Sequence, residues 1–353
     1  MRKGKRLIAW IMAVVMLFTI CVFGGNGTAE AAATTPVAKH GRLSVKGADL
    51  VDSKGNKFQL RGISTHGINW DVGSPYVNKK AFKTLRDDWG VNAIRLAMYT
   101  EEYNGYCSGG SQAKLRKQVE KGVGYATDLG MYAIIDWHIL SDGNPNKNKS
   151  QAKKFFTTMA KKYKNNKNVI YEICNEPNGC SWKEIKSYAT DIIKTIRKYD
   201  KKAVIIVGTP TWSQLGTDGT SNEVADSPIK GYKNIMYSLH FYASEWAHNE
   251  YLPAKVAYAR KKKLPIIVSE FGLSPASGDG AINKASADKW MKLLNKYNIS
   301  YFCWSLSNKN ESASLLKPST KKTSGWKSGD LSTAGKYIKK KYLARKKALG
   351  KKA

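Results

Sequence analysis

The chain has 353 residues, of which 42% are hydrophobic and 24% are charged. This composition is typical of a globular protein and argues against a collagen-like fibre, global disorder or a polytopic membrane protein. Lysine and arginine number 59 against 27 aspartates and glutamates, so the formal net charge is +32.

The first 33 residues differ in composition from the rest of the chain. Four cations among the first six residues precede an apolar run at 7–23, and an alanine-rich stretch follows at 29–33. This order predicts a signal peptide that is cleaved after Ala31 or Ala33, and therefore a secreted, extracellular protein. An uncleaved anchor is the alternative, because the apolar run approaches the ~17–25 residues that span a bilayer.

The remaining chain, 34–353, predicts a single α/β domain. The segment 43–58, with turn-forming residues at 53–56, is interpreted as a β-hairpin. Eight apolar, β-branched runs then begin 30 to 39 residues apart, with helical periodicity between them. They are 58–64, 93–99, 132–138, 169–176, 203–209, 235–242, 265–271 and 301–307. Such runs are typical of parallel strands buried on both faces, and their number favours a closed (β/α)8 TIM barrel whose bottom the hairpin caps.

Lysines account for most of the charge excess and lie mainly in the segments with helical spacing. Their density is highest in the tail from about residue 336, where nine of residues 336–353 are Lys or Arg. A solvated outer helix surface is the simple explanation, and weak electrostatic binding to an anionic cell wall or polymer is the functional alternative. No nucleic-acid-binding motif accompanies the charge, so we expect no nucleic-acid partner. We expect a monomer.

Chemistry-bearing residues recur where the eight runs end, which is where such barrels carry their active sites. Glu176 and Glu270 end the fourth and seventh runs. Two carboxylates facing each other across a barrel mouth suit cleavage of a glycosidic bond, since one protonates the leaving oxygen and the other attacks the anomeric carbon. Glu172 points to the same side of its strand, and we expect it to be buried and paired with Arg95 or a histidine.

The neighbours of the two glutamates suit the same chemistry. Asn175 is placed to hydrogen-bond a sugar 2-hydroxyl. Arg95 and Tyr242 are placed to hold Glu270 ionised and oriented. The remaining candidates are polar wall residues, aromatic side chains on which sugar rings can stack, and two loop residues that can bind hydroxyls. They are His66, His138, His240, Trp70, Tyr99, Trp137, Trp212, Trp304, Lys309 and Glu311.

Five segments of the chain contain distinctive motifs: 61–67 (RGISTHG), 136–140 (DWHIL), 170–179 (IYEICNEPNG), 238–242 (SLHFY) and 268–272 (VSEFG). Together they resemble secreted bacterial endoglucanases of glycoside hydrolase family 5, and the resemblance runs from about Gly41 to about Tyr342. The resemblance implies a retaining endo-β-1,4-glucanase, or cellulase, with Glu176 as acid/base and Glu270 as nucleophile. It also implies that Arg95, His138, Asn175, His240, Tyr242 and Trp304 line the reactive subsite. Carboxyl groups ~5 to 5.5 Å apart are expected for retention and ~9 Å for inversion.

Two other interpretations stay open at this point. The substrate is cellulose-like glucan or another β-glycan, namely mannan, xyloglucan or mixed-linkage glucan, because a few hydroxyl contacts in loops decide between them. A non-catalytic carbohydrate-binding barrel is a different class of protein, and retention of both glutamates argues against it.

The predicted reaction needs no cofactor or metal. The first run ends in His66-Gly67-Ile68 rather than in the His-x-His of a metal-dependent barrel hydrolase.

Overall fold

The computed structural model describes residues 35–350, and the predicted signal peptide lies outside them. A two-stranded antiparallel sheet, β1 (Ser44–Lys46) and β2 (Asp49–Val51), precedes a closed barrel of eight parallel strands. The barrel strands are β3 (Arg61–Thr65), β4 (Ala93–Tyr99), β5 (Tyr132–His138), β6 (Val169–Glu172), β7 (Ile205–Val207), β8 (Ile235–Tyr242), β9 (Ile266–Gly272) and β10 (Tyr301–Leu306). The predicted (β/α)8 barrel is therefore confirmed.

Helices surround the barrel. They are α1 (Pro36–His40), α2 (Lys79–Trp89), α3 (Gln112–Asp128), α4 (Lys149–Tyr163), α5 (Trp182–Arg197), α6 (Pro210–Ser213), α7 (Glu223–Asp226), α8 (Trp246–Lys261), α9 (Lys284–Lys296) and α10 (Thr333–Gly350). Local sequence defines several ends: Ser181 and Glu184 form a capping box at the start of α5, and Gly90 adopts a left-handed conformation just after α2. Within residues 35–350, no helix is both long enough and apolar enough to cross a bilayer.

The hairpin covers the amino-terminal end of the barrel, as predicted. Leu43, Leu50 and Phe58 pack with the first inward-facing side chains of the strands, including Tyr132 and Phe302. The position of its turn differs from the expectation. Lys46 pairs with Asp49, so the strands reverse at 47–48, where a glycine supplies the positive φ of 60° that a two-residue turn needs. The turn at 53–56 instead leads from Val51 to an isolated bridge with Lys57.

Strand pairing brings the functional residues to one rim. Each strand pairs in parallel with the next, and β10 closes the barrel against β3. This register sets Tyr99 beside His138 and His240 beside Glu270. The run predicted to end at Glu176 leaves the regular ladder after Glu172, but Asn175 N still donates to Trp137 O, 3.2 Å away. Glu176 therefore stays at the carboxyl end of the barrel.

The cysteines within residues 35–350 are unpaired. Cys174 and Cys303 are buried in the barrel wall, and Cys107 and Cys180 are partly buried. Burial raises the pKa of Cys107 to about 12 and that of Cys180 to about 11, so both are protonated thiols near neutral pH.

Candidate active site

A cavity of about 590 Å³ opens at the carboxyl ends of the strands. Twelve of the residues predicted from the sequence line it: His66, Trp70, Tyr99, His138, Glu176, Trp212, His240, Tyr242, Glu270, Trp304, Lys309 and Glu311. Arg95 and Asn175, which were expected in the same wall, do not line it. Both side chains are completely buried one layer below, where they contact the residues that do.

The two glutamates face each other in this cavity. An oxygen of Glu176 and an oxygen of Glu270 lie within 4.8 Å of each other. The side chain of Glu176 is 13% exposed and that of Glu270 is 5% exposed, so both remain accessible to a ligand. This separation agrees with the ~5 to 5.5 Å of retaining enzymes and leaves no room for the water molecule of an inverting mechanism.

Two donors hold Glu270 in position. The Tyr242 hydroxyl donates to Oε1 over 2.7 Å, and Arg95 Nη1 donates to Oε2 over 2.9 Å. These are the two contacts predicted from the sequence. Because both oxygens are engaged, the carboxylate has a single orientation toward the cavity.

The Arg95 guanidinium also binds the acidic groups beneath the cavity. Its Nε donates to Glu172 over 2.7 Å, and its Nη2 lies 3.0 Å from Asp136 and 2.5 Å from the Asn175 side-chain oxygen. Although burial opposes a charge here, Asp136, Glu172 and Glu270 raise the pKa of Arg95 above its ordinary value. Burial in turn raises the pKa of Asp136 to about 7, against the opposing effect of Arg95. Glu172 is buried and paired with Arg95, as expected.

Glu176 has a different environment from Glu270. Its Oε1 lies 2.8 Å from His240 Nδ1. Burial raises the pKa of Glu176 to about 8, with Arg95 opposing the rise and the charges of Asp136 and Glu172 adding to it. Burial also lowers the pKa of His240 to about 4, so this imidazole is neutral near pH 7. Glu176 is therefore the carboxyl group that holds a proton at neutral pH, as a general acid must.

A second histidine is held by buried hydrogen bonds. His138 Nδ1 lies 2.6 Å from Asp136 Oδ2, and the Asn175 amide donates to His138 Nε2 over 3.2 Å and to the Ile139 carbonyl over 3.1 Å. Both amide protons of Asn175 thus have acceptors inside the protein. The expected contact between Asn175 and a sugar hydroxyl stays a prediction.

Aromatic rings form one wall of the cavity. Trp304 stacks on His138 with ring centroids 5.3 Å apart, and Trp70 lies 4.5 Å from Tyr99. Trp212 is 43% exposed and lies in the short element α6, where its own backbone is left-handed with a φ of 52°, and its indole lines the cavity. Trp137, also predicted here, was wrongly placed. It is completely buried between the barrel and α4 because side chains alternate along β5 and those of Asp136 and His138 point inward.

The loop after β10 contributes the two predicted polar residues. Lys309 Nζ lies 2.5 Å from Glu311 Oε2, and Glu311 Oε1 lies 3.8 Å from His66 Nε2. Burial raises the pKa of Glu311, and its hydrogen bond with Lys309 opposes that rise. The pair offers an ammonium donor and a carboxylate acceptor to a ligand that carries hydroxyl groups.

A model of one protein family matches most of the barrel. The family is described as Cellulase (glycosyl hydrolase family 5), and the match covers residues 51–310. The chain belongs to this family. It is therefore a glycoside hydrolase, and its cavity holds the carboxylate pair on which such enzymes depend.

Named relatives agree with this family 5 assignment. The chain is 47% identical to an endoglucanase of Clostridium saccharobutylicum, over 95% of this chain and 72% of that protein. It is 44% identical to Endoglucanase 5 of Pectobacterium carotovorum subsp. carotovorum, over 92% of this chain and 62% of that protein. Among solved structures, the catalytic domain of Thermobifida fusca endoglucanase Cel5A superimposes with a TM-score of 0.83 at 37% identity, covering 88% of this chain and 99% of that domain.

The arrangement in this family 5 enzyme suits proton transfer better than metal binding. Glu176, His240 and Glu270 each offer one potential metal-binding atom within 4.8 Å of the others. Protein groups already engage most of these atoms, since Tyr242 and Arg95 bind the two oxygens of Glu270 and His240 Nδ1 contacts Glu176. The geometry is that of one carboxyl group held by two donors beside a second carboxyl group whose pKa is raised by burial.

The sequence analysis did not predict several of the residues that line the cavity, because they belong to loops or helices beyond the strand ends. They are Glu102, Leu140, Gln214, Glu245, His248 and residues 276–278. Glu102 comes three residues after β4 and was detectable from that position. His248 lies within α8, and its Nδ1 accepts a hydrogen bond from the Tyr242 backbone; no strand pattern indicates that contact.

The raised pKa of Glu176 predicts the alkaline limit of activity. The protonated form is the donor, so the value of kcat/KM on a soluble polysaccharide should fall tenfold per pH unit once the pH exceeds about 8. A pH–rate profile, with circular dichroism at each pH to show that the fold persists, measures this limit. If activity instead fell as the pH was raised from 5 to 6, while the protein stayed folded, the assignment of Glu176 as the acid would be contradicted.

Proposed function

We propose that this protein is a retaining endo-β-1,4-glucanase that hydrolyses internal glucosidic bonds of cellulose and related soluble β-glucans. The observation that carries the proposal is the pair Glu176 and Glu270, whose oxygens lie within 4.8 Å of each other in an open cavity. Membership of the cellulase family and relatives named endoglucanase support the same substrate class.

The reaction proceeds by double displacement. Glu176 donates its proton to the departing glycosidic oxygen while an oxygen of Glu270 attacks the anomeric carbon, which gives a covalent glycosyl-enzyme. Glu176, now a carboxylate, then takes a proton from water, and that water displaces Glu270 from the sugar. Each step inverts the anomeric carbon, so the product retains its configuration.

The hydrogen bonds of the site support this division of roles. Arg95 and Tyr242 orient the Glu270 carboxylate for attack, and the fully buried guanidinium keeps its geometry because carboxylates surround it. Burial makes Glu176 a proton donor at neutral pH. Oxygens of the two groups lie within 4.8 Å of each other, which allows both groups to act on a single acetal carbon and its oxygen.

The shape and lining of the cavity support a chain-like sugar substrate. A pyranose ring buries its C–H face on an aromatic plane, and Trp70, Tyr99, Trp304 and the half-exposed Trp212 offer several such planes. Lys309 and Glu311 provide hydroxyl partners beside them. The Thermobifida fusca catalytic domain has been solved in complex with cellotetraose, a chain of sugars of this kind.

A panel of soluble β-glycans tests the proposal. Carboxymethylcellulose and barley glucan should be cleaved to oligosaccharides of mixed length from the first minutes, because an open cavity admits internal bonds. Mannan and xyloglucan should be cleaved more slowly, and proton NMR should show the β-anomer as the first product. Faster cleavage of mannan or xyloglucan would reassign the substrate, and no cleavage of any glycan would indicate a binding protein.

Two variants serve as controls in the same panel. Glu270→Gln should lose nearly all turnover while largely keeping oligosaccharide binding, since the nucleophile is absent but the wall is intact. Glu176→Gln should lose about 10²- to 10⁴-fold on polysaccharide but much less on an aryl cellobioside whose leaving group needs no proton. Near-normal activity of the Glu270→Gln variant would contradict the assignment.

We also propose that the protein is exported and works outside the cell as a monomer. The support for export is the basic, apolar and alanine-rich order of the first 33 residues. Protein recovered from the culture medium should begin at Ala32 or Thr34 by mass spectrometry and elute from a sizing column as one chain. Full-length protein found only in the membrane fraction would indicate an uncleaved anchor.

We further propose that the lysine-rich outer surface binds an anionic cell-wall polymer weakly. Exposed lysines 336, 340, 346 and 347 lie on α10, and the ion pair that α10 makes within residues 35–350 joins Lys341 to Asp288. α10 lies on the outside of the barrel, so a bound polymer leaves the cavity open. Bound polyanion should be released by ~1 M salt, where the Debye length is only ~3 Å.

Co-sedimentation with polygalacturonate at low and high salt measures this binding. Replacing Lys336, Lys340 and Lys347 of α10 by glutamate should weaken it more than the same change at exposed lysines 153, 154 and 161 of α4, with activity on soluble glucan unchanged in both. Equal effects of the two sets, or no binding at low salt, would contradict a role for α10.

A further inference from the structure

A buried row of hydrogen bonds leads from Glu176 into the barrel wall. His240 Nδ1 lies 2.8 Å from Glu176 Oε1, His240 Nε2 lies 2.9 Å from Ser269 Oγ, and Ser269 Oγ lies 2.5 Å from Ser238 Oγ. His240 is 1% exposed, and neither serine has any exposed surface. The two serines come from the neighbouring strands β8 and β9, and the mechanism above gives neither of them a role.

Proton counting along this row favours one arrangement. If His240 carries its proton on Nδ1, it donates to Glu176, while Ser269 donates to Nε2 and Ser238 donates to Ser269. Every proton then has an acceptor. In the reverse arrangement, Nε2 donates to Ser269 and Ser269 donates to Ser238, whose own proton has no acceptor within residues 35–350. A buried donor without a partner is unfavourable, so the first arrangement is preferred.

One nearby group favours the opposite tautomer of His240. Glu172 Oε1 is buried, has no hydrogen-bond partner within the described part of the chain, and lies 3.9 Å from His240 Nε2. A carboxylate oxygen there attracts a proton on Nε2. Ser269 Oγ lies closer to the same nitrogen, at 2.9 Å, and a hydroxyl proton donated to Nε2 would oppose the pull of Glu172.

We propose that Ser269 is a positioning residue that holds His240 in the Nδ1-protonated tautomer. His240 then always donates to Glu176 Oε1, and the exchangeable proton of Glu176 resides on Oε2, which has no partner in the described residues and can face the glycosidic oxygen. This inference rests on the proposed acid/base role of Glu176. Without the Ser269 hydroxyl, the imidazole proton moves to Nε2, and Nδ1 becomes an acceptor that competes with the substrate for the Glu176 proton.

Other charged groups also face the imidazole and act on both tautomers. From the elements packed around it they are Arg95 of β4, His138 of β5, Glu172 and Glu176 of β6 and the segment after it, Glu270 of β9, and His248 of α8. Removing a neutral hydroxyl leaves all of their charges in place. A change in the Ser269→Ala variant therefore reports on the hydrogen bond and not on a lost charge.

Leaving-group dependence is the readout that a merely structural role of Ser269 would not change. In Ser269→Ala, kcat on soluble β-glucan should fall about tenfold, a part of the 10²- to 10⁴-fold that general acid catalysis supplies. On 2,4-dinitrophenyl cellobioside, whose leaving group needs no proton, glycosylation should change less than about twofold. The alkaline limit of kcat/KM should move to higher pH, because Nδ1 as an acceptor stabilises the protonated form of Glu176.

Matched variants make the outcome decisive. Ser269→Thr keeps the hydroxyl and should restore the wild-type leaving-group pattern. Ser238→Ala leaves the Ser269 hydroxyl with His240 Nε2 as its remaining acceptor, so its leaving-group pattern should also stay close to that of the wild type. If Ser269→Ala does not fold, the ring ¹⁵N chemical shifts of His240 in the wild-type protein decide, with the proton expected on Nδ1; a proton on Nε2 would overturn the proposal. Ser300→Ala removes a buried hydroxyl that binds Leu60 N far from His240 and should change stability alone.

Two results separate this inference from the proposed function. Equal losses on both substrates in Ser269→Ala, with Glu176→Gln showing the expected difference between them, would overturn the tautomer role and leave the acid/base assignment intact. No difference between the substrates in Glu176→Gln itself would overturn the acid/base role and this inference with it.

Discussion

The chemistry of this enzyme depends on an imbalance of buried charge at the barrel mouth. A single guanidinium, that of Arg95, contacts Asp136, Glu172 and Glu270 below the cavity, and Glu176 lies beside the same group. Because several acids share the one Arg95 charge, that charge does not offset the effect of burial on Glu176. Burial therefore raises the pKa of Glu176 to about 8, and the group keeps its proton at neutral pH. Because Arg95 and Tyr242 bind Glu270 and a neutral imidazole binds Glu176, two identical side chains acquire different roles.

The large positive charge of the chain has little effect on this balance. Among the charged groups of residues 35–350, Arg95, Asp136 and Glu172 shift the pKa of Glu176, and these three are buried groups of the barrel. The lysines of α4 and α10 lie on the outer helices, where water and salt screen them over about a Debye length. The (β/α)8 architecture thus separates an acidic barrel mouth from a basic exterior.

Residue patterns along the chain were sufficient to predict much of the site. The alternation of strand and helix located eight strand ends, and twelve predicted residues line one cavity there. The same alternation, applied residue by residue, would have placed Trp137 outside the barrel, since it lies between the inward-facing Asp136 and His138. Asn175 was located correctly along the chain, but its amide is engaged by buried partners.

By itself the sequence determined the number of strands, the barrel class and the positions of Glu176 and Glu270 at strand ends, because hydrophobic periodicity is a local property of the chain. The tertiary structure alone decided the close approach of the two carboxyl groups, whose oxygens lie within 4.8 Å of each other, the burial that protonates one of them, and the hydroxyl row behind His240. Those features depend on register and closure between strands that are distant in sequence. No local pattern encodes a distance between Ser269 and His240, since it exists only when β8 and β9 are paired in a closed barrel.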